Sequence, residues 1–124
     1  MKLEKLADRL GLDVEDIQEL LELYVETTAS DLAELKEAIE TKDAELAHAK
    51  AHSIKGASGN LGLDEIYELA KKIDDRARVN SLDALEEMIQ VLEEKYNNLV
   101  EEFEKDSSVV EWLSGTKLLN NSTT

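Results

Sequence analysis

Cysteine and proline are both missing from this sequence, and one Trp, three Tyr and one Phe are the only aromatics among its 124 residues. Without cysteine there is no disulfide framework, no thiolate nucleophile and no cysteine-rich zinc site. Few aromatics, no proline, and Ala, Leu, Glu and Lys at 62 of the 124 positions argue against an all-β or doubly wound fold and for helix throughout. Basic residues are also scarce, 14 against 29 acidic, and the net charge of −15 repels phosphate backbones and anionic lipid headgroups. Nucleic-acid and membrane-surface binding therefore drop out. No apolar run approaches the roughly 20 residues of a membrane span, and Met1-Lys2-Leu3-Glu4-Lys5 lacks the apolar stretch of a signal peptide, so a cytoplasmic protein is expected. A chain of this length is enough for one core.

What is present is helical periodicity. Leu3, Leu6, Ala7 and Leu10 are spaced for a short helix that stops at Gly11. Asp13 is placed to cap a long helix with Val14, Ile17, Leu21, Tyr24, Thr28, Leu32, Leu35 and Ile39 on one face. The period resets near Thr41 to Asp43, and a second long helix carries Leu46, Ile54, Ala57 and Leu61 up to Gly62. A third holds Ile66, Leu69, Ala70 and Ile73 and fades near Arg78. Asn80 and Ser81 offer cap chemistry for a fourth, with Leu85, Met88, Ile89, Leu92, Tyr96, Leu99 and Phe103 on one face. Short connections force antiparallel neighbours. The expected fold is all-α: an antiparallel up-down-up-down four-helix bundle over 1–106 with a short N-terminal helix, followed by a C-terminal tail, 107–124. In that tail Val109, Val110, Trp112 and Leu113 are expected to pack back onto the bundle.

Most polar residues read as a solvated face of Glu, Asp and Lys. The segment from Ala51 to Gly62 is different: three of the chain's five glycines, Gly56, Gly59 and Gly62, fall where periodicity demands helix. Each interior glycine costs about 1 kcal/mol relative to alanine, so a local rule is being broken for a purpose. On a helical wheel with His52 at zero, Leu46, Ile54, Ala57 and Leu61 fall between roughly 120° and 200°, Lys55 near −60°, Gly56 near +40° and Gly59 near −20°. His52 then faces solvent, with a cation one turn on and two positions without side chains beside it, where another molecule could approach closely. The neutral ring that dominates near pH 7 in an unperturbed histidine has a nucleophilic nitrogen, and Lys55 is placed to neutralise the oxygens of an arriving phosphoryl group.

The string His52-Ser53-Ile54-Lys55-Gly56-Ala57-Ser58-Gly59-Asn60-Leu61-Gly62 resembles the signature of histidine-containing phosphotransfer (HPt) domains, His-x-hydrophobic-Lys-Gly-small-small-x-x-hydrophobic-Gly. The resemblance extends over about residues 1–105. It implies that His52 is the phosphoacceptor, that Lys55 stabilises the phosphoryl group, that Gly56 leaves room for a receiver domain, and that Gly62 ends the helix. It further implies a phosphorelay carrier with no kinase activity of its own, whose partners are response-regulator receiver domains and a hybrid sensor kinase, and whose phosphoryl group moves reversibly between an aspartyl phosphate and the imidazole. No carboxylate cluster adjoins His52 in the sequence and no phosphate-cradling loop occurs, so no cofactor of its own is expected and Mg²⁺ should arrive with the receiver. Lys50, on the core side of the wheel, departs from the family pattern; its stem is expected to snorkel to solvent.

His48 shares a face with His52 at i, i+4, a spacing that can hold a metal. With no third histidine and no cysteine, no metal is assigned, and His48 is expected to tune His52 or touch the partner. Gly59, Ala49, Leu23 and Leu63 complete the expected partner-binding surface of a monomer. The leading alternative is a helical adaptor that binds a partner protein and does no chemistry; a metal-binding bundle and an independent hydrolase rank below it.

Overall fold

The chain is described here by a computed structural model covering residues 3–105, and every described element is an α-helix. In chain order these are α1 (Leu3–Leu10), α2 (Val14–Glu40), α3 (Ala44–Asn60), α4 (Asp64–Arg78) and α5 (Leu85–Lys105). Helix α3 packs on α2 and α4, α5 closes the ring against α4 and α2, and α1 leans on α2. This is the expected antiparallel four-helix bundle with a short leading helix. The apolar cluster expected in the tail, 107–124, lies outside the described residues.

The core is formed by the stripes that periodicity marks. Ile17, Leu21, Tyr24, Leu32 and Leu35 of α2 meet Ile66, Ala70 and Ile73 of α4 and Leu85, Ile89, Leu92 and Phe103 of α5 in one buried cluster, sealed at one end by Leu3, Leu6 and Ala7. Burial of each large side chain stabilises the fold by roughly 1.5–3 kcal/mol. Two hydroxyl contacts join the helices: Tyr24 Oη and Ser58 Oγ lie buried 2.8 Å apart between α2 and α3, and Tyr96 Oη, part-buried, donates to the Val25 carbonyl at 2.6 Å between α5 and α2. Burial pushes the Tyr24 phenol above its ordinary value, so the hydroxyl stays neutral.

Each corner between helices is closed by a residue in the left-handed region. Gly62, at φ +70°, follows the last turn of α3; its N–H bonds to the Gly59 carbonyl, and that of Leu63 to the Ser58 carbonyl. Gly62 thus ends its helix as expected. Asn80 corrects an expectation: at φ 57°, with its N–H on the Ala77 carbonyl and that of Ser81 on the Arg76 carbonyl, it closes α4 instead of capping α5, which starts four residues after Ser81. Asparagine tolerates this conformation better than most residues, which is why the same letter can signal a stop or a start. Asp13 does stand at the N-cap of α2 but makes no side-chain cap bond, whereas Asp43 caps α3 by accepting from the Leu46 N–H at 3.1 Å.

Candidate functional site at the α3–α4 seam

The buried residues of α3 are Ala47, Ala51, Ile54 and Ser58, with Leu61 at its end, while Leu46 and Ala57 are only half-buried. Relative to the wheel above, the core-facing direction is turned by about 60° towards α4. The reason is that the contact with α4 is lined by small side chains, Ala47 and Ala51, which weigh little in a hydrophobic pattern yet let two helices approach closely. The rotation carries His48, His52 and Lys55 to the α3–α4 seam.

There they meet Asp74, a carboxylate with no solvent exposure, on the inward face of α4. His48 Nδ1 bonds to its Oδ1. His52 Nδ1 lies 3.1 Å from Oδ2, Lys55 Nζ lies 3.4 Å from the same oxygen, and the Arg78 guanidinium approaches it at 3.7 Å. Burial alone would raise the Asp74 pKa, but hydrogen bonds from His52, His48 and Lys55 outweigh it and hold the carboxyl below its ordinary range. Asp74 is therefore ionised and can only accept hydrogen bonds. Both imidazoles must then carry their proton on Nδ1, which leaves each Nε2 with a free lone pair on the edge of the ring away from the carboxylate. The His52 side chain is 57% exposed, and the Lys55 side chain 21%.

Asp74 was not among the expected site residues. It stands four residues after Ala70 and three before Ala77, both buried, and a carboxylate on that stripe was the available signal. The remaining expected residues divide. Gly56 is exposed, and a Cβ built there meets nothing within 4 Å, so the fold itself gives no steric reason for a glycine. Gly59 is different: its Cβ would come within 3.1 Å of the Tyr67 ring, so the glycine makes room for α4 and the space is already filled. Ala49 is exposed one turn before His52. Leu23 is 57% exposed on α2, and Leu20, which the sequence did not single out, joins it on the same face. The Tyr24–Ser58 and Asp31–Ser53 contacts place Leu23 about two turns along the bundle from His52, on the Gly56 side. Leu63 packs against the core at the α3–α4 corner, about three turns from His52. His48 is turned to Asp74 and shares with His52 a ring separation of 5.8 Å. Lys50 reaches solvent as expected, paired with Glu34 and, at 3.9 Å, Asp31. Among the described residues no group of three His, Cys, Asp or Glu side chains is arranged to hold a metal ion, and no helix is long and apolar enough to cross a membrane.

Comparison with known proteins agrees with the fold. The family model of the Hpt domain matches residues 19–102. Among solved structures, the crystal structure of histidine-containing phosphotransfer protein B (HptB) from Pseudomonas aeruginosa PAO1 is similar in fold, with a TM-score of 0.73 and 24% identity over 83% of this chain and 87% of that one. No curated protein matches the chain. Since the family model spans more than half of the sequence, the chain belongs to the Hpt domain family, the histidine-containing phosphotransfer carriers of two-component phosphorelays.

Proposed function

We propose that His52 is the phosphoacceptor of this carrier and that Nε2 is its reacting atom. The observation that carries this reading is the hydrogen bond from His52 Nδ1 to the buried, ionised Asp74, which fixes the tautomer and points the lone pair of Nε2 outward from a well-exposed ring. In the forward step that lone pair attacks the phosphorus of an aspartyl phosphate on a docked receiver. The N–P bond forms, the P–O bond of the mixed anhydride breaks, and the receiver's carboxylate leaves. The Nδ1 proton stays on the ring, and Asp74 stabilises the positive charge that the ring acquires. Reversal of the same step onto a second receiver completes the relay.

Lys55 supports the transfer by charge. Its ammonium rests on the oxygen of Asp74 that also holds His52, within a short swing of a phosphoryl group on Nε2. Phosphoryl transfer needs position and charge neutralisation above all, and the divalent cation that supplies further neutralisation would be Mg²⁺ held by the receiver. The partners proposed are receiver domains and a hybrid sensor kinase. They would dock over Gly56 and Ala49, with Leu20 and Leu23 as an apolar margin and His48 at the far edge. Such a small, charge-ringed patch suits a complex that must also release. The protein is proposed to work as a cytoplasmic monomer and to lack ATP-dependent kinase activity.

Mixing the protein with a phosphorylated receiver tests the assignment. The wild-type chain should acquire acid-labile, base-stable phosphate, and His52→Gln should acquire none from the receiver while keeping its helicity and melting temperature. Receiver-derived phosphate on His52→Gln would overturn the assignment.

A further inference from the structure

The chain has two histidines, and the relay uses one of them. His48 shares every local feature that prepares His52. Its Nδ1 meets Asp74 Oδ1, its ring centroid is 5.8 Å from that of His52, and its side chain remains 36% exposed. Because the carboxylate only accepts, the His48 proton is also on Nδ1, and its Nε2 lone pair is directed away from the seam. A cation is at hand as well. The His52–Asp74 and Gly59–Tyr67 contacts set an antiparallel register in which Arg78 stands level with His48, and its half-exposed guanidinium lies 3.7 Å from Asp74 Oδ2.

We infer that His48 is a second phosphoryl acceptor, open to small donors that carry a phosphoryl group on nitrogen or on a carboxylate. The inference rests on the reading of the His52–Asp74 pair given above, since the same carboxylate prepares both rings. Approach is what separates the two histidines. The open ground at Gly56 is one turn from His52 and two turns from His48, so a receiver seated there brings its aspartyl phosphate to the first and meets the second only with its edge. A small molecule needs no docking surface and reaches both. With phosphoramidate as donor, the His48 Nε2 lone pair attacks phosphorus, the new N–P bond forms, the donor's P–N bond breaks and ammonia departs with the donor's proton. The Nδ1 proton stays on the ring, hydrogen-bonded to Asp74.

The test is intact-mass and peptide-fragmentation analysis of the whole chain after incubation with phosphoramidate, alongside N-acetylhistidine amide in the same tube. Wild type should gain two phosphoryl groups, located by fragmentation at His48 and His52. His52→Gln and His48→Gln should each gain one, at about ten times the rate of the free amide, as an oriented, charge-assisted ring implies. The double variant should gain none. A single group on wild type, located at His52, with none on His52→Gln, overturns the second site and leaves the relay assignment standing. Labelling of His48 no faster than the free amide overturns it too, since the ring would then be an ordinary surface histidine. Label on His52→Gln but none on His48→Gln overturns the relay assignment instead, and the second site with it. Fragmentation of the wild-type chain decides the matter without relying on any variant to fold.

Discussion

Helix α3 has a charged cluster on either flank. Towards α2, Lys50 pairs with Glu34 and Asp31, and Ser53 Oγ donates to Asp31 Oδ2 at 2.7 Å, all within reach of water. Towards α4, two imidazoles, an ammonium and a guanidinium converge on Asp74, which has no exposure at all. Each cluster pairs a lysine of α3 with a carboxylate of a neighbouring helix, but the consequences differ. In water, an ion pair gains little because its partners are solvated either way and its charges are screened. A carboxylate without access to water depends on its protein donors entirely, so it dictates where their protons sit. Hence the α2 flank is a surface, and the α4 flank is a site.

The hardest blow to this contrast is Asp74→Asn. The amide can accept from one imidazole but offers its NH₂ to the other Nδ1–H, so one ring must lose its bond or change tautomer. Transfer from a receiver should fall about 10- to 100-fold, the usual cost of losing a group that orients a reacting imidazole, and stability should fall by about 2 kcal/mol. A pH series sharpens the point. Because the folded Asp74 carboxyl lies below its ordinary range, its contribution is present above about pH 4 and is lost as the pH falls through the lower folded value. Urea titrations should show Asp74→Asn losing the acid-side part of the wild-type stability slope, and identical slopes would refute the assigned ion network. Next in size is a matched pair of lysines: Lys55→Ala should slow transfer about tenfold, whereas Lys50→Ala should leave transfer and melting unchanged in stopped-flow and thermal scans. The smallest effect on the fold belongs to Gly56→Ala, which should raise stability by up to about 1 kcal/mol through helix propensity while weakening receiver binding. Unchanged affinity by calorimetry would show that the open space at Gly56 serves no partner.

The bundle was legible because α2 and α5 mark their inner faces with large residues at three- and four-residue steps, and Leu21, Leu35, Leu85 and Leu92 are all buried. His52, Lys55 and Gly56 stood out because glycines inside a helix carry a visible cost. Asp74 did not, since it is one acidic residue among 29 and its importance comes from partners 19 to 26 positions earlier in the chain, His48, His52 and Lys55. The alanines of α3 hid the direction of its inner face for the same physical reason that they matter: a methyl group contributes little hydrophobic signal but decides how near two helices come. The packing reason for Gly59 was hidden because the ring its Cβ would crowd, Tyr67, belongs to the next helix.

Ala47 and Ala51 have no exposed surface and no polar group to offer the site, yet they lie on the helix that carries its two imidazoles. They act as spacers: small side chains let α3 and α4 pack closely, and the reach from imidazole to carboxylate spans that contact. A bulkier residue at position 51 would wedge the two rods apart and stretch that reach beyond bonding distance, silencing a polar centre through a purely apolar change.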